Sequence, residues 1–95
     1  MRIEFVVCPT NIEQKLQSKH RVTCREAEQT LSNTPRIRFA EKGHTLGNDV
    51  YAAFGRTSEG RYLSVFFIYK PDSRTAVMIS ARDMSKKERK AYGRK

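Results

Sequence analysis

The chain has 95 residues, with 19 basic and 10 acidic side chains and a formal net charge of +9. At this length roughly 60 to 65% of the unfolded surface can be buried, so one small basic domain over the whole chain is expected, without a large enclosed substrate cavity. A hydrophobic fraction of 38% and nine aromatic rings, spread through the middle of the chain, suffice for one packed core and argue against disorder.

No apolar run approaches the roughly 20 residues of a transmembrane helix, and the amino terminus shows no signal-peptide core, so no membrane contact and a cytoplasmic location are expected. Cys8 and Cys24 have no nearby histidine at metal-ligand spacing and are too few for a secreted disulfide scaffold. They read as reduced thiols, with a disulfide geometrically allowed.

Met1, Ile3 and Phe5 alternate with polar residues and lead into Val6 and Val7, which predicts a first strand ended by Pro9. Thr10 and Glu13 have capping-box spacing for a helix that buries Ile12 and Leu16. A second box, Thr23 with Glu26, starts a helix with Ala27 and Leu31 inward and Val22 as its staple. The polar run ending at Pro35 is a stop.

Residues 36–40 alternate with Ile37 and Phe39 on one side, and Val50, Ala52 and Phe54 give the next strand an apolar face. Residues 62–69 are apolar on both faces except at Ser64, as a central strand should be. Residues 75–79 resume the sheet after a turn at Pro71, and Ser85 with Glu88 forms a third box before a short basic helix that Gly93 terminates. The order predicts an α+β domain of two layers: a largely antiparallel sheet packed by two amino-terminal helices and one short carboxyl-terminal helix.

From Arg82 onward the chain carries seven basic residues, Arg82, Lys86, Lys87, Arg89, Lys90, Arg94 and Lys95, against Asp83 and Glu88, a net of +5. An ordered cationic surface of this kind suits several phosphates or an acidic protein. The segment from Gly43 through His44, Thr45 and Leu46 to Gly47 lacks the spacing and lysine of a phosphate-binding loop. His20 and His44 have no partner spacing for a metal, so neither metal nor cofactor is expected.

The run Phe54-Gly55-Arg56-Thr57, then Gly60-Arg61-Tyr62-Leu63, then Ile79-Ser80-Ala81-Arg82-Asp83-Met84 with the basic helix after it, closely resembles the BrnT family of type II toxins. Lys19-His20, Val22-Thr23 and Arg25-Glu26-Ala27 are similar to that family's two-helix segment. The resemblance implies a compact RelE-like fold and a metal-independent endoribonuclease that inhibits translation. It also implies a BrnA-like antitoxin as partner, RNA such as ribosome-associated mRNA as target, and DNA contact only through the antitoxin.

Such an enzyme needs cations around the phosphate attacked by the adjacent 2′-hydroxyl, and groups that accept and donate protons. Arg82, at the end of a predicted strand, is the first candidate, with Arg56 or Arg61 as a second guanidinium. The competing role for Arg82 is an ion pair with Asp83 or Glu88. His20 suits proton transfer. Met84 and Tyr92 would pack an RNA base, Lys86, Lys87 and Arg89 would position the strand, and Glu88 would orient an arginine.

The chain departs from the family pattern at Cys8-Pro9-Thr10-Asn11, where an Asp-Pro and a following lysine are usual, and at Arg21, which replaces a glycine. These departures leave a second class of function, a noncatalytic protein-binding or regulatory component that keeps the toxin scaffold.

Overall fold

The computed structural model describes residues 1–43 and 47–93. His44, Thr45 and Leu46, and the last two basic residues, Arg94 and Lys95, lie outside the described residues.

The chain runs β1 (Phe5–Val7), α1 (Thr10–Lys15), a π-helical turn (Leu16–His20), α2 (Cys24–Ser32), β2 (Arg36–Glu41), β3 (Val50–Arg56), β4 (Tyr62–Lys70), β5 (Thr75–Asp83) and α3 (Lys86–Gly93). One sheet holds all five strands in the order β1-β5-β4-β3-β2. β1 is parallel to β5, and every other neighbouring pair is antiparallel. The result is a compact α+β fold with a mixed, largely antiparallel sheet.

Strand parity sorts the side chains into two faces. Leu63, Val65 and Phe67 of β4 join Ala53, Ala76, Met78 and Ala81 in a core closed by Leu16, Val22, Ala27 and Leu31 from the helical segments. Gly55 belongs to this face. A Cβ there would stand 3.1 Å from the Thr30 methyl and 3.3 Å from Pro35, so α2 lies close because this position has no side chain.

On β3 the residues turned toward α1 and α2 are therefore Tyr51, Ala53 and Gly55, while the apolar set Val50, Ala52 and Phe54 faces the other way. Ser64 and Arg82, which are cross-strand partners, also lie on that second face. There they meet Glu88 of α3, so the carboxyl-terminal helix covers the opposite side of the sheet from the first two. The expected pair of layers becomes a sheet with helix on each side.

Two of the three capping boxes form. The Thr23 hydroxyl accepts from the Glu26 amide at 3.1 Å while the Glu26 carboxylate accepts from the Thr23 amide at 3.0 Å. At α3, Ser85 and Glu88 make the same exchange at 3.1 and 2.9 Å. The expected Thr10 cap is corrected: Pro9 is the N-cap of α1, and its carbonyl accepts from the Glu13 amide at 2.9 Å. Proline sets the entry angle one residue early, so Thr10 is already helical and its hydroxyl is out of place for capping.

The first strand is also shorter than its pattern. The amides of Glu4 and Phe5 both donate to the Arg74 carbonyl, at 2.8 and 3.2 Å, and this doubling shifts the alternation. Ile3 and Val6 consequently pack against the core, whereas Phe5 is 63% exposed. Phe39, on edge strand β2, is likewise exposed.

The reading of Cys8 and Cys24 as separate reduced thiols is overturned, because the two form a disulfide. α1 and the π-helical turn make a closed excursion that returns the start of α2 to the end of β1. The two Cα atoms are left 6.2 Å apart, within bonding reach. At the end of that excursion Arg21 takes a left-handed conformation, φ 52° and ψ 40°, and its amide bonds back to the Leu16 carbonyl. The residue that stands where the family pattern has glycine thus occupies the kind of backbone position glycine favours.

Candidate functional site

Arg82 leaves β5 on the α3 side of the sheet and is fixed there by one carboxylate. Its Nη1 and Nη2 donate to Oε1 and Oε2 of Glu88 at 2.7 and 2.8 Å, a parallel fork. Nη1 also donates to the Asp83 carbonyl at 3.2 Å, and the guanidinium lies 5.4 Å from the centre of the Phe66 ring. Glu88 accepts as well from the hydroxyl of fully buried Ser64 at 3.0 Å. The Arg82 bonds hold the Glu88 carboxyl down at about 2; partial burial opposes this, and the Ser85 amide and Ser64 hydroxyl assist. The same fork raises the pKa of Arg82 against its own desolvation.

Glu88, but not Arg82, lines an open groove of about 660 Å³ between α3 and the β2–β3 edge. Phe54 forms part of its lining, together with Arg36 and Arg38 from β2 and Lys87, Ala91 and Tyr92 from α3. The register pairs Arg36 with Phe54 and Arg38 with Ala52, which turns both arginines to this face. Arg38 stands 5.5 Å from the Phe54 ring centre, and Arg36 reaches across to the Ala91 carbonyl at 3.4 Å.

A cation–aromatic cluster adjoins the groove at Tyr92. The Tyr62 ring meets Tyr92 edge-on at 6.0 Å between centres. Arg89 lies 4.1 Å from the Tyr62 centre and Arg56 5.7 Å from it. Arg56 thus lies on the same face of the sheet as Arg82. Met84 is half-buried and lines a smaller cavity with Tyr62, Arg89, Arg61 and Asp83. Lys86 begins α3 with an exposed side chain.

Arg61 is placed differently. Its Nε and Nη2 donate to Asp83 at 2.8 and 3.2 Å, its Nη1 donates to Glu26 and to the Arg21 carbonyl, and its Nη2 reaches the His20 carbonyl. The Asp83 bonds chiefly raise its pKa, outweighing burial. In return Arg61 lowers Asp83, with a smaller contribution from the nearby charge of His20. Burial would raise Glu26, but the Thr23 amide and Arg61 outweigh it.

The four residues proposed for catalysis therefore form two groups. Arg82 and Arg56 look onto the α3 face, whereas Arg61, bonded to Asp83 and to the main-chain carbonyl of His20, ties the end of the π-helical turn to the end of β5. The groups meet at the consecutive residues Arg82 and Asp83.

Sequence reasoning passed over Arg36, Arg38 and Ser64. Ser64 was visible as the polar break in an apolar strand. The alternation Arg36-Ile37-Arg38-Phe39 puts both arginines on one face, but only the strand register shows which face that is.

No curated protein matches the chain. The profile of the family described as "Ribonuclease toxin, BrnT, of type II toxin-antitoxin system" matches residues 10–88, from the start of α1 to the carboxylate that holds Arg82. With most of its length so matched, this chain belongs to the BrnT family of ribonuclease toxins.

Proposed function

We propose that the chain is a metal-independent endoribonuclease of RelE-like fold that inhibits translation in the cytoplasm and is neutralised by a BrnA-like antitoxin. The observation that carries this reading is the Arg82–Glu88 fork, whose carboxylate lines an open cationic groove. A guanidinium has five N–H donors. Among the described residues, the bonds to Glu88 and to the Asp83 carbonyl use three, leaving Nε–H and the outer Nη2–H side by side. That fork matches two oxygens of a phosphodiester.

In this reading the 2′-hydroxyl gives up its proton and bonds to the neighbouring phosphorus, and Arg82 stabilises the added charge as the phosphorane forms. The P–O5′ bond then breaks, the 5′-oxygen taking up a proton and a 2′,3′-cyclic phosphate remaining. Arg56 brings a second cation along the same face, and Glu88 acts through Arg82 as a positioning residue. Proton transfer falls to His20 across the rim at Asp83, while Arg61 holds that rim together. Met84, Tyr92, Lys86, Lys87 and Arg89 bind the strand, and the antitoxin covers the groove with acidic side chains.

Purified wild type should cut RNA, with or without ribosomes, and R82A, assayed well below the melting temperature that loss of the Glu88 pair lowers, should lose at least about a hundredfold in rate, in keeping with the loss of one preorganised donor. H20Q should keep RNA binding and lose cutting. A wild-type protein that cuts no RNA under either condition overturns the reading. One observation favours a noncatalytic binding component instead: Glu88 already occupies the end of the Arg82 guanidinium. That reading expects a tight antitoxin complex and no cleavage of any RNA.

A further inference from the structure

We infer that the groove between β2 and α3 is a second nucleotide subsite, in which Arg36 and Arg38 hold a backbone phosphate of single-stranded RNA and the adjacent base packs against Phe54 and Tyr92. The inference rests on the reading of the chain as an RNA-cutting toxin and adds to it a binding site apart from the reacting phosphate.

Three observations place the subsite. Arg36 and Arg38 are two residues apart on an edge strand, so the sheet pleat turns both heads to one side. Opposite them Lys87 supplies a third cation, while the nearby carboxylate, Glu88, is already bonded to Arg82. The space thus favours an anion. Phe54 and Tyr92 line the same groove with aromatic surface, to which the flat face of a base is complementary.

The volume, about 660 Å³, is open along the surface and accommodates a base with its sugar and phosphate. An acidic peptide would use the cations but leave the aromatic surfaces without a flat partner. The groove reaches Glu88, whose carboxylate is bonded to Arg82, so a strand seated at β2 lies one side chain away from the proposed reacting phosphate.

The test separates binding from cleavage. A short, labelled RNA oligonucleotide with 2′-O-methyl groups throughout lacks the attacking hydroxyl, and its affinity for the full chain can be followed by fluorescence anisotropy over a range of salt. R36A/R38A should bind about tenfold more weakly than wild type, and its log–log salt dependence should flatten by about 0.7, the value for one phosphate contact on a single strand. R38A alone leaves the Arg36–Ala91 bond intact and should show about half of each change, with an unaltered melting temperature.

Unchanged affinity and salt slope in both variants overturn the subsite. So does an oligoglutamate peptide of equal charge that binds as tightly and with the same dependence on both arginines. If wild type and R36A/R38A cut unmodified RNA equally well, the subsite fails while the ribonuclease reading stands. If the oligonucleotide binds with the expected arginine dependence but unmodified RNA is never cut, the ribonuclease reading fails and the subsite stands.

Discussion

Arg82 and Glu88 face each other end-on through two hydrogen bonds of 2.7 and 2.8 Å, six residues apart in sequence, and neither could be replaced by its shorter or uncharged analogue without losing the fork. The carboxylate belongs to the first turn of α3 and the guanidinium to the last turn-ward residues of β5. Their pairing therefore docks the helix on the sheet and sets the direction of the arginine behind the groove-lining carboxylate.

Acid should weaken the fold through this pair. The Glu88 carboxyl is held at about 2 in the folded chain against an ordinary 4.5, so its stabilisation is complete above about pH 5 and disappears as the pH falls toward 2. E88Q should cost about 1.5–3 kcal/mol at neutral pH, the range for hydrogen bonds to charged groups. Urea denaturation at several pH values should show the gap between wild type and E88Q closing in acid. Some slope should persist in E88Q, because Asp83 and Glu26 are also lowered in the folded chain.

Arg61 should prove to be chiefly a stabilising residue. It joins α2, the end of the π-helical turn and β5 through Glu26, two carbonyl oxygens and Asp83, with its side chain 29% exposed. R61A should lose about 2 kcal/mol, given that charged hydrogen bonds contribute about 1.5–3 kcal/mol and solvent screens part of this network. Guanidinium chloride denaturation measures the loss. R61K should recover only part of it, since an ammonium cannot reproduce the planar fork.

The disulfide predicts a redox-dependent melting temperature. Cys8 and Cys24 are 16 residues apart, and closing a loop of about 15 residues stabilises by about 3 kcal/mol on the chain-entropy account. Thermal melts with and without reductant should differ accordingly, and C8S/C24S should melt like the reduced wild type and ignore reductant.

Arg21 is expected to be stabilised by the substitution that restores the family's usual residue. Its φ of 52° costs a non-glycine residue about 1–2 kcal/mol, and R21G should recover about 1 kcal/mol while keeping the carbonyl that accepts from Arg61. The denaturation midpoint of R21G should rise, and its RNA binding should be unchanged because the side chain borders neither cavity.

The elements of the fold were largely legible because local signals agreed with one another. Thr23 with Glu26 and Ser85 with Glu88 marked two helix starts that form as read, and Leu16, Ala27 and Leu31 were rightly assigned to the interior. What stayed hidden depended on contacts distant in sequence. The shift of phase at Glu4 and Phe5 is set by the carbonyl of Arg74, and the pairing of Cys8 with Cys24 by the path of the helices between them.

The site divided in the same way. Arg82 could be picked out by its place after an apolar strand, and its ion pair with Glu88 was one of the roles weighed for it. Residue type gave no means of telling Arg61 from Arg56. One is surrounded by carboxylates and carbonyls and the other stands over an aromatic ring, a distinction that arises only when α2 and β5 come together. Arg36 and Arg38 likewise gain a shared purpose only from the strand and helix beside them.

Glu88 serves the amide that opens α3, the hydroxyl of Ser64 and the guanidinium of Arg82 with two oxygens. Mutational drift at this corner must accordingly be concerted: a lineage that loses the glutamate inherits a frayed helix, a stranded hydroxyl and an unanchored arginine in one step. Positions 64, 82, 85 and 88 are thus expected to change together among relatives of this chain or not at all.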